Sequence, residues 1–202
     1  MVEGVRDRRS RILQVAEEEF ARQGYNGVGM REIAARAGIH SATLYHYFSG
    51  KEELFFSVIE RVFHDAHQWI QETLSRPLGG REKLVFFIEK QFDFLATHQN
   101  YFRIILHERL SNSPRLQEIA RRFIAPLVQT LSSLLEELAR SGVLRPVDQR
   151  IALFQLMTVN AAHIVFAPLL TVVLGEEEGL TFGLLQRLKK ANVDLFLHGI
   201  AG

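Results

Sequence analysis

Cysteine is absent from all 202 residues. Its absence removes disulfides, thiol nucleophiles and cysteine metal sites together, and suits a reducing cytoplasm. Net charge is nearly absent as well: 24 Lys and Arg face 23 Asp and Glu, leaving a formal +1. The chain as a whole therefore exerts no bulk pull on nucleic acid. There is no low-complexity tract, no repeat at a solenoid period, and no sustained alternation of the strand type. Nucleophile-elbow, phosphate-loop and HExxH patterns are missing too, so nothing marks an enzyme and no cofactor is expected. The charged start MVEGVRDRRSR leads into an amphipathic stretch and does not read as a signal peptide. Residues 151–174 are apolar enough to suggest a membrane span. However, Gln155, Asn160 and His163 fall in the middle and Pro168 interrupts it. A helix buried in a core or subunit interface fits better, and no membrane partner is expected.

What is present reads as helix throughout. Expected segments run over about 6–23, a short stretch at MREIAARAG, another at SATLYHYF, and a long helix over 51–75. Others follow over about 80–98, 100–110, 114–141, 147–174 and 180–200, about nine in all. Gly24 and Gly38 are natural C-terminal stops, and Ser113-Pro114 is a cap followed by proline at the first helical position. Pro126 and Pro168 lie inside helical patterns and should kink or interrupt them. In the first helix Ile12, Leu13, Ala16 and Phe20 share a face, while Glu17 to Glu19 should point largely to water.

Tyr45, His46 and Tyr47 stand side by side in SATLYHYF. Successive helical residues point about 100° apart, so they cannot all face one core. Residues 30–48 hold two short helices joined by a glycine turn, with polar and aromatic groups on the second helix, as a helix-turn-helix requires. Leu44 and Phe48, four apart, face inward. Ser41 and Tyr45 share one outward face, and Ala42 and His46 the adjacent one. Hydroxyl and imidazole groups there suit base edges or phosphates, and the small Ala42 permits close approach or contact with a thymine methyl. Lys51 opens the next helix, where its ammonium and the free backbone N–H groups favour a phosphate. Upstream, Arg6, Arg8, Arg9 and Arg11 form a basic arm beside this motif.

These residues resemble the TetR family of bacterial transcriptional regulators. The resemblance is carried by Arg31-Glu32-Ile33-Ala34, Ala37-Gly38-Ile39, Thr43-Leu44-Tyr45-His46-Tyr47-Phe48, Lys51-Glu52-x-Leu54, and upstream Phe20-x-x-x-Gly24-Tyr25. It covers about the first 60 residues closely; the remainder is similar only in being all-helical and of suitable length. The resemblance implies an all-α fold with an N-terminal three-helix DNA-binding domain over 1–50. A C-terminal ligand-binding and dimerisation domain would span 51–202, entered through a linking helix over 51–75. It makes 41–47 the recognition helix, with Ser41, Ala42 and His46 as base readers. Thr43, Tyr45, Tyr47 and Lys51 would hold phosphates, and Arg31 would sit where DNA contact is frequent. The implied protein is a homodimeric repressor on a palindromic double-stranded DNA operator, released by a small effector. Val28 and Gly29 replace the usual Ser or Thr, so the second helix loses its hydroxyl cap, at a cost of a few tenths of a kcal/mol with glycine there. His40 stands where a serine usually caps the recognition helix, so Ser41 is expected to take over capping.

The C-terminal half is rich in phenylalanine, which suits a largely hydrophobic effector such as an acyl chain, a lipophilic drug or an aromatic metabolite. His67, Phe102, Asn160 and His163 are the ligand-binding candidates. In the last helix Leu184, Leu188, Ala191 and Leu195 share a face, and the helix before it is apolar nearly all round. Together they are expected to pair with a second copy through the last two helices. A rival reading takes Glu60, His64 and His67, at i, i+4 and i+7, as metal ligands of a metal sensor or metal-dependent hydrolase.

Overall fold

The structure, a computed structural model, describes residues 2–143, 148–176 and 180–199, with backbone alone at 2–6, 149 and 199. Among the described residues all regular structure is helical. The chain divides into two compact units, one formed by 1–65 and 100–124, the other by 66–99 and 125–202.

The first unit holds α1 (Val2–Gly27), α2 (Met30–Arg36), α3 (Ser41–Tyr47) and the opening of α4 (Lys51–Ser75). It also takes in α6 (Gln99–Leu110) and α7 (Pro114–Ile119). Its core is the expected one: Ile12, Ala16 and Phe20 of α1 bury against Ile33 and Ala34 of α2 and Leu44 of α3. Phe48, Phe55 and Ile59 complete the packing, joined by Ile104 and Ile119 from α6 and α7. Helical geometry in α1 breaks at Gly24 (φ 71°, ψ 172°), a conformation that favours glycine. At the end of α2, Gly38 (φ 70°) lets its own N–H reach the Ala35 carbonyl and the Ile39 N–H reach that of Ala34. This pair of bonds is the Schellman stop that sets the turn between the two short helices. Glu19 departs from expectation. Instead of meeting water it is 2% exposed, bound by Arg22 at 2.6 Å, Arg36 at 2.7 Å and Gln23 at 3.0 Å. Burial raises its pKa, but those hydrogen bonds and the charges of Arg22 and Arg36 outweigh it and leave the pKa lowered. Glu17 also turns from solvent to pair with Arg61.

The second unit packs α5 (Gly80–Thr97) against α8 (Ala125–Arg140), α9 (Gln149–Val165) and α11 (Phe182–Gly199). Phe87, Ile88, Leu134, Leu138, Leu153 and Leu184 are buried there. The two internal prolines act as expected. A π-helical turn over Ala120–Ile124 precedes Pro126, and Pro168 lies in the first turn of α10 (Ala167–Leu174). The axes of α9 and α10 differ by 72°, and among the described residues no single helix is long and apolar enough to cross a membrane. The stripe expected on the last helix divides. Leu184, Leu188, Asn192 and Phe196 turn inward, whereas Leu195 stays 55% exposed and Ala191 is exposed.

Candidate nucleic-acid interface and the C-terminal polar centre

Helix α3 is held down by few residues. Leu44 and Phe48 are fully buried, and Tyr47 is half-buried against the same core. Ala42, Tyr45 and His46 face solvent, Tyr45 at 52% exposure, while Ser41 and Thr43 are half-buried. The Tyr47 and His46 rings meet edge to face at 5.8 Å, which limits how far the imidazole swings. His40, not Ser41, is the N-cap of α3, with extended backbone (φ −72°, ψ 146°) and no side-chain cap bond. The expected capping role of Ser41 is thus corrected: it is the first helical residue, and its hydroxyl has no protein partner among the described residues. Gly29 caps α2 in extended geometry with no side-chain bond, as its substitution for a hydroxyl residue implies.

Arg31 is exposed on the first turn of α2. Arg8, Arg9 and Arg11 are exposed on α1, with the Arg9 guanidinium 5.1 Å above the Phe48 ring; the Arg6 side chain lies outside the described residues. Lys51 is half-buried at the start of α4, its ammonium 4.4 Å over the Tyr25 ring. Burial, with help from the Arg115 charge, lowers its pKa. The α4 entrance is not all open to an anion: the Glu53 carboxylate accepts from the Ser49 N–H and hydroxyl, each at 2.6 Å. That acidic cap leaves Lys51 as the cationic group of this turn.

The four ligand candidates are not gathered in one place. Asn160 is fully buried on α9. Its amide donates to Gln91 Oε1 at 2.6 Å and its carbonyl accepts from Asn192 Nδ2 at 2.5 Å. Asn192 Nδ2 also lies 3.1 Å from His163 Nδ1, so the imidazole accepts there and carries its proton on Nε2. Burial lowers the His163 pKa. Asn160 and His163 thus belong to one polar centre with Gln91 and Asn192, joining α5, α9 and α11. His67 lies apart and exposed, its Nε2 3.4 Å from Gln71. Phe102 belongs to the first unit, its ring edge to face with Tyr101 at 5.3 Å. The metal reading is overturned: among the described residues no three His, Asp or Glu groups converge on a metal position.

Two family profiles match the chain: "Bacterial regulatory proteins, tetR family" over residues 12–58, and "Tetracyclin repressor-like, C-terminal domain" over 77–163. The first spans every element that builds the interface from the core of α1 to the opening of α4. The chain belongs to the tetR family of bacterial regulatory proteins. It is a DNA-binding transcriptional regulator. It is 32% identical over 110 residues to the HTH-type transcriptional activator FasR of Mycolicibacterium smegmatis, a match covering 54% of this chain and 50% of that protein. It is 26% identical over 142 residues to a fatty acid metabolism regulator protein of Bacillus subtilis, covering 70% and 73%. Its fold is similar to the crystal structure of FadR from Bacillus subtilis in complex with stearoyl-CoA, with a TM-score of 0.74 and 23% identity. That likeness covers 95% of this chain and 98% of that one.

In this TetR-family chain two groups escaped the sequence reading. Arg115 of α7 lies 3.7 Å over the same Tyr25 ring that Lys51 covers, a juxtaposition no local spacing reveals. Trp69, on α4, packs against Phe87 at 5.2 Å and Phe94 at 6.1 Å. Among the described residues its Nε1 is the buried side-chain polar atom without a hydrogen-bond partner.

Proposed function

We propose that the protein is a homodimeric repressor that reads a palindromic operator and is released by a largely hydrophobic effector. Residues 1–50 act as the DNA-reading head, α4 links, and 51–202 hold the effector and the dimer contact. One observation carries the DNA reading: α3 is anchored through Leu44 and Phe48, leaving Ala42, Tyr45 and His46 outward on consecutive faces. Ser41, Ala42 and His46 then read base edges, while Thr43, Tyr45, Tyr47, Lys51 and Arg31 hold phosphates. Two such helices enter successive major grooves about 34–36 Å apart. A bound dimer covers its operator, which makes repression the proposed mode; the cytoplasm, where the DNA is, is the proposed location.

The dimer is supported by apolar surface that the second unit leaves uncovered. Phe154 is 67% exposed on α9, Val172 79% and Val173 80% on α10, and Phe182 78% on α11. Ile151, Phe166, Leu169 and Leu195 are also more than half exposed. So many exposed large apolar side chains on one unit support an interface rather than a solvated face. An acyl effector is supported by the stearoyl-CoA bound to the FadR neighbour and by the fatty acid metabolism named for the Bacillus subtilis relative. The Trp69 N–H offers such a ligand a buried donor with no competing acceptor, where an oxygen gains most. The effector works only by binding better to a dimer whose helices are wrongly spaced for DNA.

Selection of bound duplexes from a random pool tests the DNA reading, and a recovered asymmetric site would sink the two-fold operator. Mass measurement in solution tests the dimer: wild type should be dimeric, and Phe154→Glu with Val172→Glu should be monomeric. Titration with a fatty acyl thioester should shift the emission of Trp69, the chain's single tryptophan. An unchanged spectrum alongside unchanged DNA binding would remove the acyl effector.

A further inference from the structure

Lys51 carries its charge in an awkward place. It is half-buried, and among the described residues no carboxylate pairs with it. Its ammonium lies over the Tyr25 ring at 4.4 Å, and the Arg115 guanidinium lies over the same ring at 3.7 Å. Burial, and after it the charge of Arg115, lowers the pKa of Lys51. Arg115 does not escape because its Nε donates to Glu108 at 2.8 Å, and that carboxylate is 2% exposed. Tyr25 is fixed in turn. Phe20 stacks on it at 6.0 Å and Phe55 meets it edge to face at 5.3 Å. The residue before it, Gly24, has positive φ, and a Cβ there would lie a tight 3.1 Å from the His107 ring of α6. Lys51, Tyr25 and Arg115 border one open groove of the first unit, which Arg9 and Ser49 also line.

We propose that Arg115 is a positioning residue for DNA binding: clamped by Glu108 on the Tyr25 ring, it keeps the Lys51 ammonium unpaired and available to a backbone phosphate while touching no DNA itself. Without Arg115, Glu108 becomes a buried carboxylate lacking its cation. Lys51 is the neighbouring ammonium that shares Tyr25 with it, and it is drawn inward to neutralise the charge. The phosphate then loses its partner. Residues of α6 and α7, far along the chain from the recognition helix, thereby set the strength of a DNA contact. The proposal rests on the reading of Lys51 as a phosphate contact.

The test measures binding of full-length protein to a duplex carrying the selected palindrome over a range of salt concentrations. Lys51→Ala should weaken binding on the order of ten-fold and make the log–log salt slope shallower by about one. Arg115→Ala should do the same, and the double variant should be no weaker than either single one. Adding Glu108→Gln to Arg115→Ala should restore both affinity and slope, because the neutral amide no longer draws Lys51 away. A general loss of packing would not be repaired that way. Arg121→Ala, on the same groove, should bind as wild type. If Arg115→Ala does not fold, Arg115→Gln with and without Glu108→Gln carries the same comparison. Additive losses with a slope shallower by two would mean that Arg115 itself meets DNA, and would overturn the proposal. So would full binding by the Arg115 variants. If Lys51→Ala binds with unchanged affinity and slope, the phosphate reading itself fails, and the proposal with it.

Discussion

Replacing Asn160 with alanine should cost stability out of proportion to the atoms removed. The side chain is fully buried and its amide is spent inside the protein, donating to Gln91 at 2.6 Å and accepting from Asn192 at 2.5 Å. Gln91 is 3% exposed, so its Oε1 would be left buried without a donor. Asn192 would fare better, because its Nδ2 still faces His163 at 3.1 Å. One orphaned acceptor, one weakened donor and two lost bonds amount to about 2–4 kcal/mol. For a chain of this size that corresponds to a fall in Tm of roughly 4–16 °C. Thermal unfolding at fixed protein concentration measures it, the concentration being held because the proposed dimerisation would move Tm by mass action. Asn160→Leu with Gln91→Leu removes donor and acceptor together, and should recover most of the loss. A fall of less than about 1 °C for Asn160→Ala would show that the polar centre contributes nothing, and a ligand role for Asn160 would then regain ground.

Other expectations concern DNA and pH. Lys51→Ala should weaken specific and random duplexes by the same factor, since a phosphate contact carries no sequence information. A loss confined to the operator would contradict that role. His46→Ala should instead change which sequences a random pool yields; an unchanged consensus would remove it from the base readers. The His163 pKa lies below its ordinary 6.5 through burial, so the unfolded chain binds the proton more readily. Its contribution is therefore complete above about pH 6.5 and fades as pH falls toward the folded-state value. Denaturant midpoints measured across that window should drop for wild type and drop less for His163→Gln. Glu19 acts in the same sense at lower pH: its pKa is lowered from 4.5, so the stability it confers is lost as pH falls through the folded value. A midpoint that does not fall between about pH 7 and pH 5 would refute the His163 assignment, and one that does not fall further below about pH 4.5 would refute that of Glu19.

The sequence carried most of the helices because their signals are local. Gly38 needs positive φ, Ser113-Pro114 caps and starts a turn, and Pro126 and Pro168 break the ladder wherever they fall. The exposed face of α3 was legible for the same reason, since Leu44 and Phe48 are four apart and fix which way the helix lies. What stayed hidden depends on partners distant in the chain. Glu19 looked like one of three solvated acids; its burial is made tolerable by Arg22 and Gln23 together with Arg36 of the next helix. Asn160 stood out, but Asn192 did not, because a polar residue in an otherwise amphipathic helix gives no sign that it faces inward. The i, i+4, i+7 pattern of Glu60, His64 and His67 suggested a metal by spacing alone. The three groups do not converge on one metal position, which overturns the set.

Residues 37–48 show how a departure from the family pattern is absorbed. With histidine at position 40 the helix loses a side-chain cap, yet His40 keeps the extended backbone that an N-cap requires (φ −72°, ψ 146°). The helix still begins at Ser41, so its register is set by the Gly38 stop and the Leu44–Phe48 anchor rather than by a hydroxyl. A lost cap costs about 0.5–2 kcal/mol. Leu44 and Phe48 are both fully buried, and burying two such side chains stabilises by about 3–6 kcal/mol. The anchor outweighs the cap, so the helix holds without a capping hydroxyl at position 40. Ser41, relieved of capping, keeps its hydroxyl for whatever meets the exposed face of α3.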